Sequence, residues 1–131
     1  MRRVRWGAAV LGAAGLALGA AWYASRPDAP RAIVLPVLEP GAQAGQAVFD
    51  RHCTACHGPN AAGSPTGPAL VHRIFQPAHH SDMAFELAVR RGVRAHHWRF
   101  GDMPPLPGVP PADVARITDY VRALQRANGI R

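Results

Sequence analysis

Apolar residues are distributed along this chain in two different patterns. Residues 6–24 form one almost unbroken apolar run, with Arg2, Arg3 and Arg5 before it and Ser25-Arg26-Pro27 after it. At about 1.5 Å per residue its 19 positions extend roughly 28 Å, enough to cross a hydrocarbon core of about 30 Å. Further on, the apolar positions recur with helical spacing. Residues 42–52 put Ala44, Val48 and Phe49 on one side of an expected helix. Asp82 is expected to cap a second, carrying Phe85, Leu87, Ala88 and Val89 and stopping at Gly92. The last stretch is the most regular. Pro111 stands in its first turn, Asp113 near the positive end of the dipole, and Val114, Ile117, Val121 and Leu124 form one stripe; Arg122 and Arg126 come late and Asn128-Gly129 terminates it. Strict alternation is scarce, so the expected fold class is all-α.

Three regions follow. Residues 1–25 read as a signal-anchor or transmembrane segment, residues 26–40 as a Pro-rich linker holding Pro27, Pro30, Pro36 and Pro40, and residues 41–131 as one folded domain. Trp22 and Tyr23 resemble an interfacial belt and favour an uncleaved anchor, whereas the small pair Gly19 and Ala21 favours a cleaved signal peptide. In either case the domain is exported.

Composition narrows the function. Lysine is absent, so all 15 basic residues are Arg against 8 acids, a net charge of +7. With the first 25 residues set aside, twelve Arg against eight acids leave +4, spread without a basic cluster. That suits docking to an acidic protein patch and argues against nucleic acid. No Ser/His/Asp set, carboxylate pair or phosphate-cradling loop points to a small-molecule substrate. The two cysteines lie three apart, too close for a framework disulfide.

Those cysteines open Cys53-Thr54-Ala55-Cys56-His57, the C-x-x-C-H attachment site of a covalent haem c. On one helical turn, two thiols at this spacing each reach a vinyl group on one edge of the porphyrin, while the next imidazole points at the iron. A thioredoxin-like dithiol needs a preceding strand, and a zinc site needs two further ligands; a helical pattern precedes the motif and no second cysteine pair exists.

Over about residues 42–128 the chain resembles the class I c-type cytochromes, the family of small bacterial relatives of mitochondrial cytochrome c. Gly45, Phe49 and Cys53 match the family's Gly, aromatic and first cysteine at four-residue intervals, and Ile117 with Tyr120 matches the apolar and aromatic pair of its last helix. The resemblance implies that the first and last helices cross, with Gly45 allowing close approach. Gly67-Pro68-Ala69-Leu70 matches a loop whose Pro68 carbonyl accepts the proton of the iron-ligating imidazole, His57. Gly101-Asp102-Met103-Pro104-Pro105 looks like the loop that supplies the sixth ligand, Met103. The residues agree: Met1 lies in the signal, Met83 is expected to pack as core, and Met103 alone sits on a loop stiffened by two prolines. In the family a Trp or Arg from the region of Trp98 and Arg99 donates to a haem propionate; the plainer alternative packs Trp98 on the haem edge and leaves Arg99 in solvent.

The remaining histidines divide. His52 is expected on a helix surface and His72 as a satisfied loop residue. His79-His80 and His96-His97 read as propionate neighbours or solvated loop residues, with a second metal site for copper or zinc as the sharper alternative.

The implied function is one-electron transfer by a single His/Met-ligated haem c between redox protein partners, with no open coordination site for catalysis. The expected location is a bacterial inner membrane, single-pass through residues 6–24, with the domain in the periplasm, or soluble periplasm if the signal is cleaved. A cytochrome subunit of a larger membrane oxidoreductase is the main alternative, and a haem-based gas or redox sensor a further one.

Overall fold

The computed structural model describes residues 32–131; the expected membrane span and the first part of the linker lie outside the described residues. Among the described residues there is no strand, only two isolated bridges, Ser64 with Gly67 and Val93 with Met103. Four α-helices follow one another: α1 (Pro40–His52), the single turn α2 (Thr54–His57), α3 (Asp82–Arg91) and α4 (Pro111–Ala127), with 3-10 turns at Pro59–Ala61 and Arg73–Phe75. The fold is the expected all-α class. None of these helices is long and apolar enough to cross a membrane.

α1 begins at Pro40, inside the expected linker, because proline's fixed φ and missing N–H suit the first helical position. Its buried face is Ala42, Gly45, Val48 and Phe49; Ala44, expected there, is exposed. Gly45 lies where α1 and α4 cross, and a β-carbon built on it would fall into the Arg116 carbonyl of α4. Only glycine lets the two backbones approach this closely. One turn on, the Phe49 and Tyr120 rings meet edge-on, 5.5 Å between centroids and 61° between planes. Burial of the two rings is complete or nearly so, 0% and 1% exposed.

α4 buries the expected stripe of Val114, Ile117, Val121 and Leu124, and also Thr118, Tyr120, Arg122 and Gln125. Its end is closed as expected by Asn128 and by Gly129, the latter at φ +75°. Asn128 does more than stop the helix. Its side chain donates to the Leu124 and Val34 carbonyls (2.8 and 2.9 Å) and accepts from the Val34 N–H at 2.9 Å. Ile33 and Leu38 pack against the core, so residues 33–39 are docked along the domain and do not act as a free spacer.

α3 starts one residue earlier than the pattern suggests: Ser81 is its N-cap and Asp82 stands in the first turn. Met83 is 56% exposed, which corrects its expected place in the core; it lies on the outer side of α3, away from Val89.

Candidate functional site

Where α1 ends, Cys53 leaves the helical path (φ −119°, ψ −29°) while its N–H still bonds the Phe49 carbonyl at 2.8 Å. The motif therefore continues α1 through a kink, and α2 carries Cys56 and His57. The loop beyond folds back onto this turn. Ser64 Oγ donates to the Cys56 carbonyl at 2.5 Å, and Thr66 Oγ1 donates to that of Ala55 at 3.3 Å. This delivers Pro68, whose carbonyl accepts from His57 Nδ1–H at 2.9 Å.

Burial, opposed by that bond, lowers the His57 pKa below the ordinary imidazole value. The ring is thus neutral, with Nδ1 occupied and Nε2 the nitrogen left with a lone pair for a metal. Burial, and then the charge of Cys56, pushes the Cys53 thiol up to about 11. Cys53 is buried and Cys56 exposed, and neither forms a disulfide.

A cavity of about 390 Å³ opens between α1, α3 and the two long loops, and its lining is mostly apolar. Cys53, His57, Pro68, Trp98 and Met103 all line it, together with Phe49, Phe75, Phe85, Val89 and Ile117. Cys56 and Arg99 do not; Arg99 is exposed, in line with the alternative that leaves it in solvent.

Met103 is placed by backbone pairing. Its N–H and C=O exchange two 2.9 Å bonds with Val93, just beyond the end of α3, and Leu106 N–H donates to Val89 O at 2.7 Å. Gly92, at φ +73°, permits this: a β-carbon there would come within 2.5 Å of the Met103 carbonyl. Asp102 closes the same loop by accepting from the Ala95 N–H at 2.8 Å.

Trp98 Nε1 is buried and has no protein partner. A buried indole N–H without an acceptor is costly, and Trp98 is among the residues that line the cavity, where a haem propionate would be such an acceptor. The donor set fits the cofactor: two thiols on one turn, an oriented neutral imidazole, a thioether, and an orphaned indole donor on a lining residue.

Comparison with known proteins agrees. The family model described as Cytochrome c matches residues 42–125. The chain belongs to the cytochrome c family. It carries covalent haem c on Cys53 and Cys56, and its role is haem-based electron transfer. A search of the curated proteins found no match to this cytochrome.

Two features of the site were hidden in the sequence. The first is Arg122, which sequence position assigns to the helix dipole but which is only 6% exposed. It bonds Asp82 at 2.8 Å, the Phe75 carbonyl at 2.6 Å, the His80 carbonyl and Gln125 Oε1 at 2.6 Å, and lies over the Phe85 ring at 4.8 Å. Gln125 adds bonds to the Leu70 and Phe75 carbonyls at 2.9 and 3.1 Å. These two side chains hold the 70–80 loop against the cavity. A polar pair three apart on the apolar side of α4 is the signal that could have revealed them. The second is the grouping of His79, His80, His96 and His97, from opposite ends of α3, along one rim of the cavity. Desolvation, then the neighbouring His96, His80 and His79, lowers the His97 pKa. His52 is exposed, and His72 Nδ1 accepts from the Ile74 N–H at 3.2 Å, both as expected.

Proposed function

We propose that this cytochrome is a one-electron carrier whose haem iron would be held by His57 and Met103, tethered to a bacterial inner membrane by residues 6–24 or released into the periplasm, and that it passes electrons between respiratory redox proteins. The observation that carries this reading is that Met103 and His57 line one cavity, each fixed by a backbone contact that leaves its ligating atom free: Pro68 O for His57, Val93 for Met103.

When bound, haem c supplies a reversible one-electron couple. The protein sets its properties. His57 would give the nitrogen ligand and Met103 a thioether that favours the reduced state and would leave no open position for a gas or peroxide. Phe49, Phe75, Phe85, Val89 and Ile117 exclude water, which disfavours the extra positive charge of the oxidised form. The unpartnered Trp98 Nε1–H would be available to a propionate. The modest positive charge favours partners with acidic docking patches.

The oxidised protein is expected to show the weak far-red charge-transfer band of a sulfur-to-iron bond. Met103→Ala should abolish it and lower the midpoint potential. A wild-type spectrum indicating two nitrogen ligands refutes the assignment. Met83→Ala is the control, expected to leave the band intact. N-terminal sequencing of protein from an exporting host decides between tether and cleavage, because a mature chain starting at Trp22 means a soluble carrier.

A further inference from the structure

We propose that His79, His80 and His97 form a binding site for one divalent transition-metal ion, Cu2+ in preference to others, on the rim of the haem cavity. Each of the three offers a ring nitrogen, and these nitrogens lie within 4.8 Å of one another. Three imidazole nitrogens bound at about 2.0 Å to one ion stand roughly 3 to 4 Å apart, so closure needs only side-chain rotation. The two exposed members, His79 and His97, are free to make it; His80 is half-buried and serves as the fixed point.

The surroundings are those of ligating imidazoles. His80 Nδ1 is 2.6 Å from the Ile74 carbonyl, and this bond leaves Nε2 as its free nitrogen. A metal-bound histidine usually spends its second nitrogen on such an acceptor, which fixes tautomer and ring direction. From behind, the buried Arg122 guanidinium donates to the His80 carbonyl, so the main chain at this ligand is braced too. His97 sits on a loop tied at both ends by the Val93–Met103 pair and by the Ala95–Asp102 bond. His96, with its Nδ1 2.8 Å from the Arg94 carbonyl and its ring 4.1 Å from that of His97, stands beside the three as a fourth imidazole.

The donor set selects the ion. An all-imidazole cluster lacks the thiolates that Cu+ prefers and the carboxylates that Ca2+, Mg2+ and Mn2+ require. Among borderline divalent ions, affinity for nitrogen sites peaks at Cu2+. Among the described residues no salt bridge involves these histidines, so no carboxylate accounts for their gathering. His80 and His97 also line the cavity, which puts the ion's charge close to the cofactor.

The test uses untagged, oxidised, chelator-treated holoprotein. Calorimetric titration with CuSO4 should give one ion per chain, and the Cu2+ electron paramagnetic resonance spectrum should show coupling to several nitrogens. His79→Gln and His97→Gln, at exposed positions that spare the fold, should each weaken binding roughly tenfold or more, and His52→Gln should not. Redox-inert ZnSO4 should raise the haem midpoint potential of the wild type and leave that of the double variant His79→Gln/His97→Gln unchanged. Absence of stoichiometric binding, or binding undiminished in the double variant, overturns the proposal. Displacement of Cu2+ by equimolar Zn2+ overturns the assignment to copper. If the substitutions shift the potential while added metal never does, the cluster serves the haem carboxylates and the metal site is refuted.

Discussion

The two sides of the cavity are built by opposite means. On one side α1 and α4 cross through close packing: Gly45 against the Arg116 carbonyl, Phe49 against Tyr120, Val48 and Val121 buried around them. On the other, the loops bearing His79, His80, Trp98 and Met103 bring apolar side chains such as Leu70 and Phe75 to the cavity, but their course is held by hydrogen bonds, from Arg122 and Gln125 to the 70–80 loop and from Val93, Ala95 and Asp102 within the second loop. The crossing is specified by side-chain shape, which tolerates little change in volume. The 70–80 part of the loop wall is specified by carbonyls that need donors, and those donors sit on α4. One helix therefore serves both: its apolar stripe makes the crossing and its polar pair holds that part of the wall.

The largest effect should come from the crossing. Phe49→Ala removes a ring that is 0% exposed, and denaturation followed by haem absorbance should show a loss of about 3 to 5 kcal/mol. Gly45→Val tests shape more directly, since it adds volume and deletes nothing; separation of the helices should cost about 3 kcal/mol or more. A cost below about 1 kcal/mol would mean that the helices separate freely and that close approach is not what specifies the crossing.

Next comes the polar wall. Arg122→Met keeps most of the stem over the Phe85 ring and removes every donor. It leaves the His80 carbonyl without its Arg122 donor, while Gln125 still serves Phe75, so the expected loss is about 2 kcal/mol. Hydrogen exchange should quicken around residues 74–81 and hardly at all in α1. Equal quickening in both regions would erase the distinction between the two sides.

Smaller still is Asn128→Ala. It cuts the bonds to Val34 and Leu124 and should cost about 1 kcal/mol, with residues 33–39 becoming sensitive to protease. Trp98→Phe keeps a ring in place and removes only the orphaned N–H. Stability should change by less than about 1 kcal/mol, while the pH dependence of the haem potential should shift as a propionate loses a donor. An unchanged pH profile argues that Trp98 only packs on the haem edge.

By itself the sequence determined whatever depends on local spacing. The attachment motif at Cys53, Cys56 and His57, the amphipathic stripe of α4 with its Asn128-Gly129 end, the Gly45–Phe49–Cys53 interval and the Pro-flanked Met103 could be read directly, because thiol reach, helical period and proline stiffness act within a few residues. Tertiary structure decided the rest. Met83 and Arg122 exchanged their expected places, the Met on the surface and the Arg inside, because apolar character does not by itself select the face of α3 that is covered, and because a guanidinium can be buried where several carbonyls converge on it. Residues 33–39 became part of the domain through the Asn128 side chain, 94 positions away from Val34, and through Ile33 and Leu38 packing on the core. The four histidines came together across α3 for the same kind of reason. A histidine pair in sequence has no intrinsic partner, and its position is set by which buried donors and backbone pairings hold the loops that carry it.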